Sequence, residues 1–248
     1  MTHSTHVAPE SRRSLRASHR GIALIMVVLF TAFLSALGFG LMLAVFMDRL
    51  ATGNFTGSVA MLYATDAGIE LAARDLAETP DWDAVLSGAT LSSFTDGAPT
   101  GVRPLPGGGV VDLGVATNML NCGRATCTEA QLDANSRARP WGANNSRWRL
   151  YAYGPLDQLA PLSRPEPCYL AVWIADDGRE EDGDPASDAA VEEAGHGIVR
   201  VHAETFGASG ARRAIEAEVK RACRGAALDA CLPGIRVQSW QELRQAIP

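Results

Sequence analysis

The stretch GIALIMVVLFTAFLSALGFGLMLAVFM, from Gly21 to Met47, holds no charged residue and decides how the rest of this 248-residue chain is read. As an α-helix it reaches about 40 Å, against roughly 30 Å of bilayer hydrocarbon, so it is long enough to span a membrane. Upstream lie Arg12, Arg13, Arg16 and Arg20; downstream the first charges are Asp48 and Arg49. The basic flank belongs in the cytoplasm, which puts everything after Asp48 on the far side. A secretory signal peptide has an apolar core of only ~7–15 residues followed by a small-residue cleavage site. Neither feature fits here, so the stretch reads as a retained anchor.

Beyond the anchor the helix is expected to continue. Val59, Leu62, Ile69, Ala73 and Leu76 recur in steps that keep them on one helical face, with Asp66 on the same stripe. Asp66 is either a residue at the edge of a packed face or a partner for a cation on a neighbouring subunit. Pro80 supplies a stop. Gly38, Gly40, Gly53 and Gly57 weaken the interior by up to ~1 kcal/mol each relative to Ala and mark places to bend or melt.

After Pro80 the pattern changes to strands and loops. The tract from Gly97 to Gly114, rich in Gly and Pro, reads as a surface connection with at most short strands. Strands are expected over 147–153, 169–175, 198–205 and 214–219. In the third, Val199, Val201 and Ala203 oppose Arg200, His202 and Glu204, and 206–211 reads as the turn of a hairpin. The fold class is therefore α+β: a long N-terminal helix running into a head with an antiparallel sheet and irregular loops.

The formal net charge is −6, and it is unevenly spread. Between 176 and 193 nine acidic residues stand against Arg179 alone, while the densest basic cluster lies in the first twenty residues. No basic surface is left with which to hold nucleic acid. Within the acidic loop, Asp176, Asp177, Glu180, Glu181, Asp182, Asp184 and Asp188 gather hard oxygen donors around Gly178 and Gly183, the donor type calcium requires. An EF-hand frame started at Asp182 fails, because Ala186 and Ser187 fall at its fifth and sixth positions. An irregular calcium site and a solvated acidic loop both remain open. Of the five cysteines, Cys122 with Cys127 and Cys223 with Cys231 can close short loops in an oxidising compartment, leaving Cys168 over. Other pairings stay open, and the spacings do not match structural zinc sites.

Two blocks carry a family resemblance. The charged leader ends at Arg20-Gly21 and the apolar helix begins at once with Ile22-Ala23-Leu24-Ile25-Met26. This resembles a prepilin-peptidase site, which implies cleavage between Gly21 and Ile22 on the cytoplasmic side. The second block, Tyr63-Ala64-Thr65-Asp66-Ala67-Gly68-Ile69-Glu70-Leu71-Ala72, is similar to the acidic-Ala-Gly element of PilX-type minor pilins. Together they cover about residues 19–76 well and the remaining chain loosely. The resemblance implies a prepilin leader over 1–21, a transmembrane helix over 22–47, a periplasmic continuation over 48–79 and a head over 80–248 containing the acidic loop. It also implies the partners: prepilin peptidase, inner-membrane lipid, the major pilin and other minor pilins. Major pilins place a glutamate at the fifth mature position, where this chain has Met26. That departure resembles subunits expected at a filament tip, or else a position free to vary in minor pilins.

No nucleophile elbow, phosphate loop or paired zinc-binding histidines occur, so the chain is not expected to be an enzyme. The function expected is that of a minor pilin in, or priming, a type IV pilus. The alternatives are a pseudopilin of a type II secretion system and a signal-anchored periplasmic module that binds an ion or ligand. The location expected is a single pass through the inner membrane with a periplasmic head, then the filament.

Overall fold

The computed structural model describes residues 19–106, 108–132, 146–159, 167–180, 183–188, 195–224 and 232–243. It divides into two compact units, Met1–Asn54 and Phe55–Pro248. The first helix, α1, is a single element from His19 to Glu78, 60 residues long.

Within the first unit the side chains from Gly21 to Asn54 are exposed throughout, and this is the one helix among the described residues long and apolar enough to cross a membrane. Its few hydroxyls turn back onto the backbone: Thr31 Oγ1 donates to the Val27 carbonyl (3.0 Å) and Ser35 Oγ to that of Thr31 (2.8 Å). No polar group on those side chains then needs water, which suits a lipid surround. The expected melting at Gly38, Gly40, Gly53 and Gly57 does not occur; the helix runs through all four. A cost of up to ~1 kcal/mol per glycine is measured against water. For Gly38 and Gly40, inside the uncharged run, an opened backbone bond in an apolar setting costs several kcal/mol, so the helix is the cheaper state.

The second unit is built around the rest of α1. Met61, Ala64, Thr65, Ile69, Ala72, Ala73 and Leu76 are buried; of the stripe expected from the sequence Ile69, Ala73 and Leu76 lie on this face, whereas Val59, Leu62 and Asp66 are only half-buried at its edge. The face meets a five-stranded antiparallel sheet in the order β3-β4-β5-β6-β7. Its strands are β3 (Arg149–Pro155), β4 (Tyr169–Asp176), β5 (Ile198–Phe206), β6 (Arg212–Arg224) and β7 (Leu232–Leu243). Gly68 sets how closely helix and sheet approach. A Cβ at Gly68 would lie 2.9 Å from Leu170 Cδ1 and 3.1 Å from Val172 Cγ2. Three residues earlier, Thr65 Oγ1 and Thr205 Oγ1 stand 2.8 Å apart, pairing two buried hydroxyls across the helix–sheet contact. Ile69, Leu76, Leu170, Val172, Val201 and Ile215 are among the residues of that core; each large one contributes ~1.5–3 kcal/mol by burial. Trp82 closes the end, its Nε1 donating to the Leu76 carbonyl at 3.0 Å, one of the last carbonyls of α1.

A second core lies on the opposite face of the sheet. There β1 (Val102–Pro104) and β2 (Val110–Asp112) form a short hairpin, followed at once by α3 (Leu113–Cys122). Val111, Leu113, Trp148, Tyr153, Tyr169 and Trp173 pack together. Asp112 caps α3 by accepting from the Val115 amide (3.0 Å). The short helices α2 (Asp83–Leu86) and α4 (Leu156–Leu159) and a 3-10 turn at Ala208–Gly210 complete the described elements. The tract 97–114, expected as a surface connection with at most short strands, holds two strands of three residues each and is also the start of a covering layer.

The four expected strands are present with shifted ends, and the turn at 206–211 joins β5 to β6. The sequence reading missed β7 and α3.

Candidate functional site

Gly21 and Ile22 stand in the first turns of α1, both exposed, as is Met26 four residues on. Nothing lies within 4 Å of a Cβ built at Gly21. Asp66, on the head portion of α1, has a partner within its own chain: its Oδ1 accepts from Trp240 Nε1 at 2.9 Å. That ties β7 to α1.

The acidic loop leaves the end of β4. Asp176 and Asp177 are buried, and the Asp177 amide donates to Asp176 Oδ1 (2.9 Å). Arg179 turns back on Asp177, with Nε 2.9 Å from Oδ2, and reaches Glu218 on β6 with Nη2 at 3.2 Å. Glu180 is buried against Gly195, whose φ of +100° only glycine adopts readily and whose lack of a Cβ leaves room for the Glu180 side chain. Asp188 Oδ1 accepts from the Gly197 amide at 2.6 Å and faces His196 (3.8 Å) and Arg221 (3.9 Å). Burial pushes the Asp188 carboxyl above the ordinary aspartate range despite these neighbours. Asp184 is exposed and accepts from the Ala186 amide (3.0 Å). Asp177, Asp184 and Asp188 are thus held by groups of the chain itself. Among the described residues no three His, Cys, Asp or Glu side chains group to hold a metal ion. Glu181 and Asp182 lie outside the described residues.

Cys122 and Cys127 are joined by a disulfide. The loop follows α3, which ends at Gly123 in the left-handed region (φ 69°), its amide donating to Met119. Asn121 then clamps the loop to the sheet: its Nδ2 donates to the Trp148 carbonyl (2.9 Å) and its Oδ1 accepts from the Trp148 amide (2.8 Å). Cys168 is buried beside Ala64 and Leu156. The Cys223 side chain and Cys231 lie outside what is described.

A polar strip missed by the sequence reading runs between the sheet and the α3 layer. Arg200, His202 and Glu204 alternate along β5, on the face opposite α1. His202 is 2% exposed, with the rings of Trp148 and Trp173 edge-on to it at 5.6 and 5.7 Å. Its Nδ1 stands 4.0 Å from Glu216 Oε2, beyond hydrogen-bond reach, and neither ring nitrogen has a hydrogen-bond partner among the described residues. Arg200 pairs with Glu216 and lies over the Trp148 ring at 4.9 Å. Burial pushes the Glu216 carboxyl up, but His202 and Arg200 outweigh that and hold it down to about 2. Glu204 shows the opposite balance. It is 3% exposed, and burial raises its carboxyl to about 7 although Arg212 stands 3.6 Å away. The alternation in β5 predicts a polar face and therefore suggests solvent. The signal against that was in β4, where Tyr169 to Ala175 is apolar on both faces and so must be covered on both.

No family model, curated protein or solved structure matches this chain.

Proposed function

We propose that this chain is a minor subunit of a type IV pilus or a related filament, held in the inner membrane by Gly21–Met47 until it is assembled, with its head in the periplasm. One observation carries the reading: a single 60-residue helix whose first part is apolar and exposed and whose second part is the spine of a sheet-bearing head. A subunit made this way joins a filament by packing its apolar helix among those of its neighbours, the major pilin and other minor pilins, and leaves its head outside. Prepilin peptidase would free Ile22 by cutting after Gly21. Assembly then needs no chemistry from the head, in keeping with a reading as a structural protein.

A signal-anchored periplasmic module shares the same anchor, and N-terminal processing separates the two. Mass analysis of the protein from membranes with and without prepilin peptidase is expected to find a chain starting at Ile22 only when the peptidase is present. A leader retained in both would overturn the filament reading. Replacement Gly21→Arg is expected to abolish cutting, whereas Gly21→Ala is tolerated. Whether the filament is a pilus or a secretion pseudopilus is then a question of which subunits co-purify with the processed form.

A further inference from the structure

The head is electrically lopsided along its strands. β4 runs to Asp176, where the acidic loop leaves, and β5 returns from Ile198 to Phe206, so the loop lies at one end of the sheet and the β5–β6 turn at the other. The turn's end is also where α1 enters the head. Arg213 Nη2 bonds Ser58 Oγ there, and a Cβ at Gly207 would lie 2.9 Å from Met61 Sδ. Ser58 follows Met47 by about 16 Å of helix. Whatever angle the head takes, this end is the one tethered to the apolar run.

A pocket opens at the tethered end. The tip of the β1–β2 hairpin and the β5–β6 turn enclose about 390 Å³, within the range of small-molecule sites. Leu105, Val110 and Phe206 give it apolar walls, glycines of the tip and the turn leave stretches of bare main chain, and Arg212 supplies a cation. The Arg212 guanidinium lies over the Phe206 ring at 5.0 Å and stands 3.6 Å from Glu204 Oε1. Glu204 holds that charge weakly, because burial raises its carboxyl to about 7. The other acids of this end are engaged or turned to the other face. Glu242 pairs with Arg213 and Asp96 with Arg103, and Asp157 belongs to α4, whose Leu156 packs beside Ala64 of α1.

We propose that this pocket takes the phosphate head group of an anionic phospholipid from the leaflet beside the anchor. Arg212 contacts the phosphate, and Leu105, Val110 and Phe206 lie against the carbons next to it. Three features select this occupant. The tether keeps that leaflet within reach and its lipids at a high local concentration. A cation set among apolar walls matches an amphiphile better than a free ion, since attraction to anionic lipid and burial of apolar surface add together. The acidic loop, at the far end of the sheet, is repelled by the same anionic surface, so the field of the head turns the pocket toward it. The proposal rests on the reading of Gly21–Met47 as a membrane anchor.

The test is hydrogen exchange on the full chain in nanodiscs of phosphatidylcholine and of phosphatidylglycerol. Amides of the hairpin tip and of the β5–β6 turn are expected to exchange at least about threefold more slowly in phosphatidylglycerol, an effect that high salt weakens. Val110→Glu, at a position 66% exposed and so compatible with folding, is expected to abolish the difference. So is Arg212→Gln combined with Glu204→Gln, a pair that avoids leaving the buried carboxyl alone. Equal exchange in the two lipids overturns the proposal. Equal protection by inorganic phosphate in phosphatidylcholine discs does so too, by making the pocket a site for a free anion. Slow exchange in phosphatidylcholine and in detergent alike would mean that the chain itself fills the pocket, and overturns it as well. A chain that fails to insert into the discs overturns the anchor reading along with the proposal, whereas an inserted chain with an unprotected pocket overturns the proposal alone.

Discussion

The two halves of α1 share one backbone geometry and almost nothing else. From Gly21 to Asn54 every side chain is exposed, and over Gly21–Met47 apolar character alone is asked of it. From Phe55 to Glu78 particular residues are asked for: Gly68 for its missing Cβ, Thr65 for one hydroxyl, Ile69 and Leu76 for volume. The difference teaches that the first half is specified by its solvent and the second by its neighbours. Swapping one apolar residue for another is therefore tolerated in the first and penalised in the second.

The largest expected effect breaks the comparison at its strongest point. Ile69→Ala is expected to cost the head about 2–5 kcal/mol, while Leu29→Ala leaves head unfolding unchanged. Thermal unfolding in detergent, followed by near-ultraviolet circular dichroism, checks both. Equal losses would mean that the exposed half is packed after all.

Titration sharpens the same contrast, because Gly21 to Met47 contains no ionisable side chain and the pH response belongs to the head. Glu204, with its carboxyl raised to about 7, binds a proton more tightly folded than unfolded. Its effect is to lower stability as pH rises from about 4.5 through 7, by on the order of 3 kcal/mol at most. Glu216, held down to about 2, acts in the other direction: its stabilisation is present above about 4.5 and lost as pH falls toward 2. Unfolding midpoints measured across this range are expected to peak near pH 5. Glu204→Gln is expected to flatten the alkaline side only; an unchanged profile would refute the assignment.

Gly68→Ala probes the closest approach of helix to sheet and is expected to destabilise the head by about 1–3 kcal/mol, since Leu170 and Val172 must give way. Gly38→Ala, with nothing within 4 Å of its new Cβ, is expected to leave it untouched. The smallest effect expected is from calcium. With Asp177 and Asp188 already engaged by Arg179, Gly197 and Arg221, added calcium should shift the midpoint by less than about 1 °C. A larger, saturable rise would assign calcium to the acidic loop, with Glu181 and Asp182 the first residues to replace.

What the sequence made legible follows from where one interaction dominates. The apolar helix, the Ile69, Ala73 and Leu76 part of the buried face of α1 and the four strands were readable because local pattern specifies them: an uncharged run for the first and β4, helical spacing for the second, alternation for β5 and β6. Strand β7 was not, because the bulge at Gln238 breaks its alternation and Pro233 and Gly234 read as loop. Helix α3 was hidden in a tract whose glycines and prolines belong to the β1–β2 hairpin just before it. The burial of His202 and Glu204 depends on that tract folding over the sheet, a long-range event that no local pattern in β5 reports. Among the acidic residues, composition showed the density of charge but not its partners, which come from β6 and from the Gly195–Gly197 turn.

The Cys122–Cys127 bridge has a consequence for the history of the molecule. A loop this short withdraws only about 2 kcal/mol of chain entropy from the unfolded state, so the bridge is a modest stabiliser. Its larger meaning is chemical. Thiols five residues apart remain reduced in a cytoplasm and join once they meet an oxidant, so for the membrane-anchored subunit proposed above the pair would be a time stamp, closed in heads that had crossed the membrane and open in those still waiting on the side where they were made.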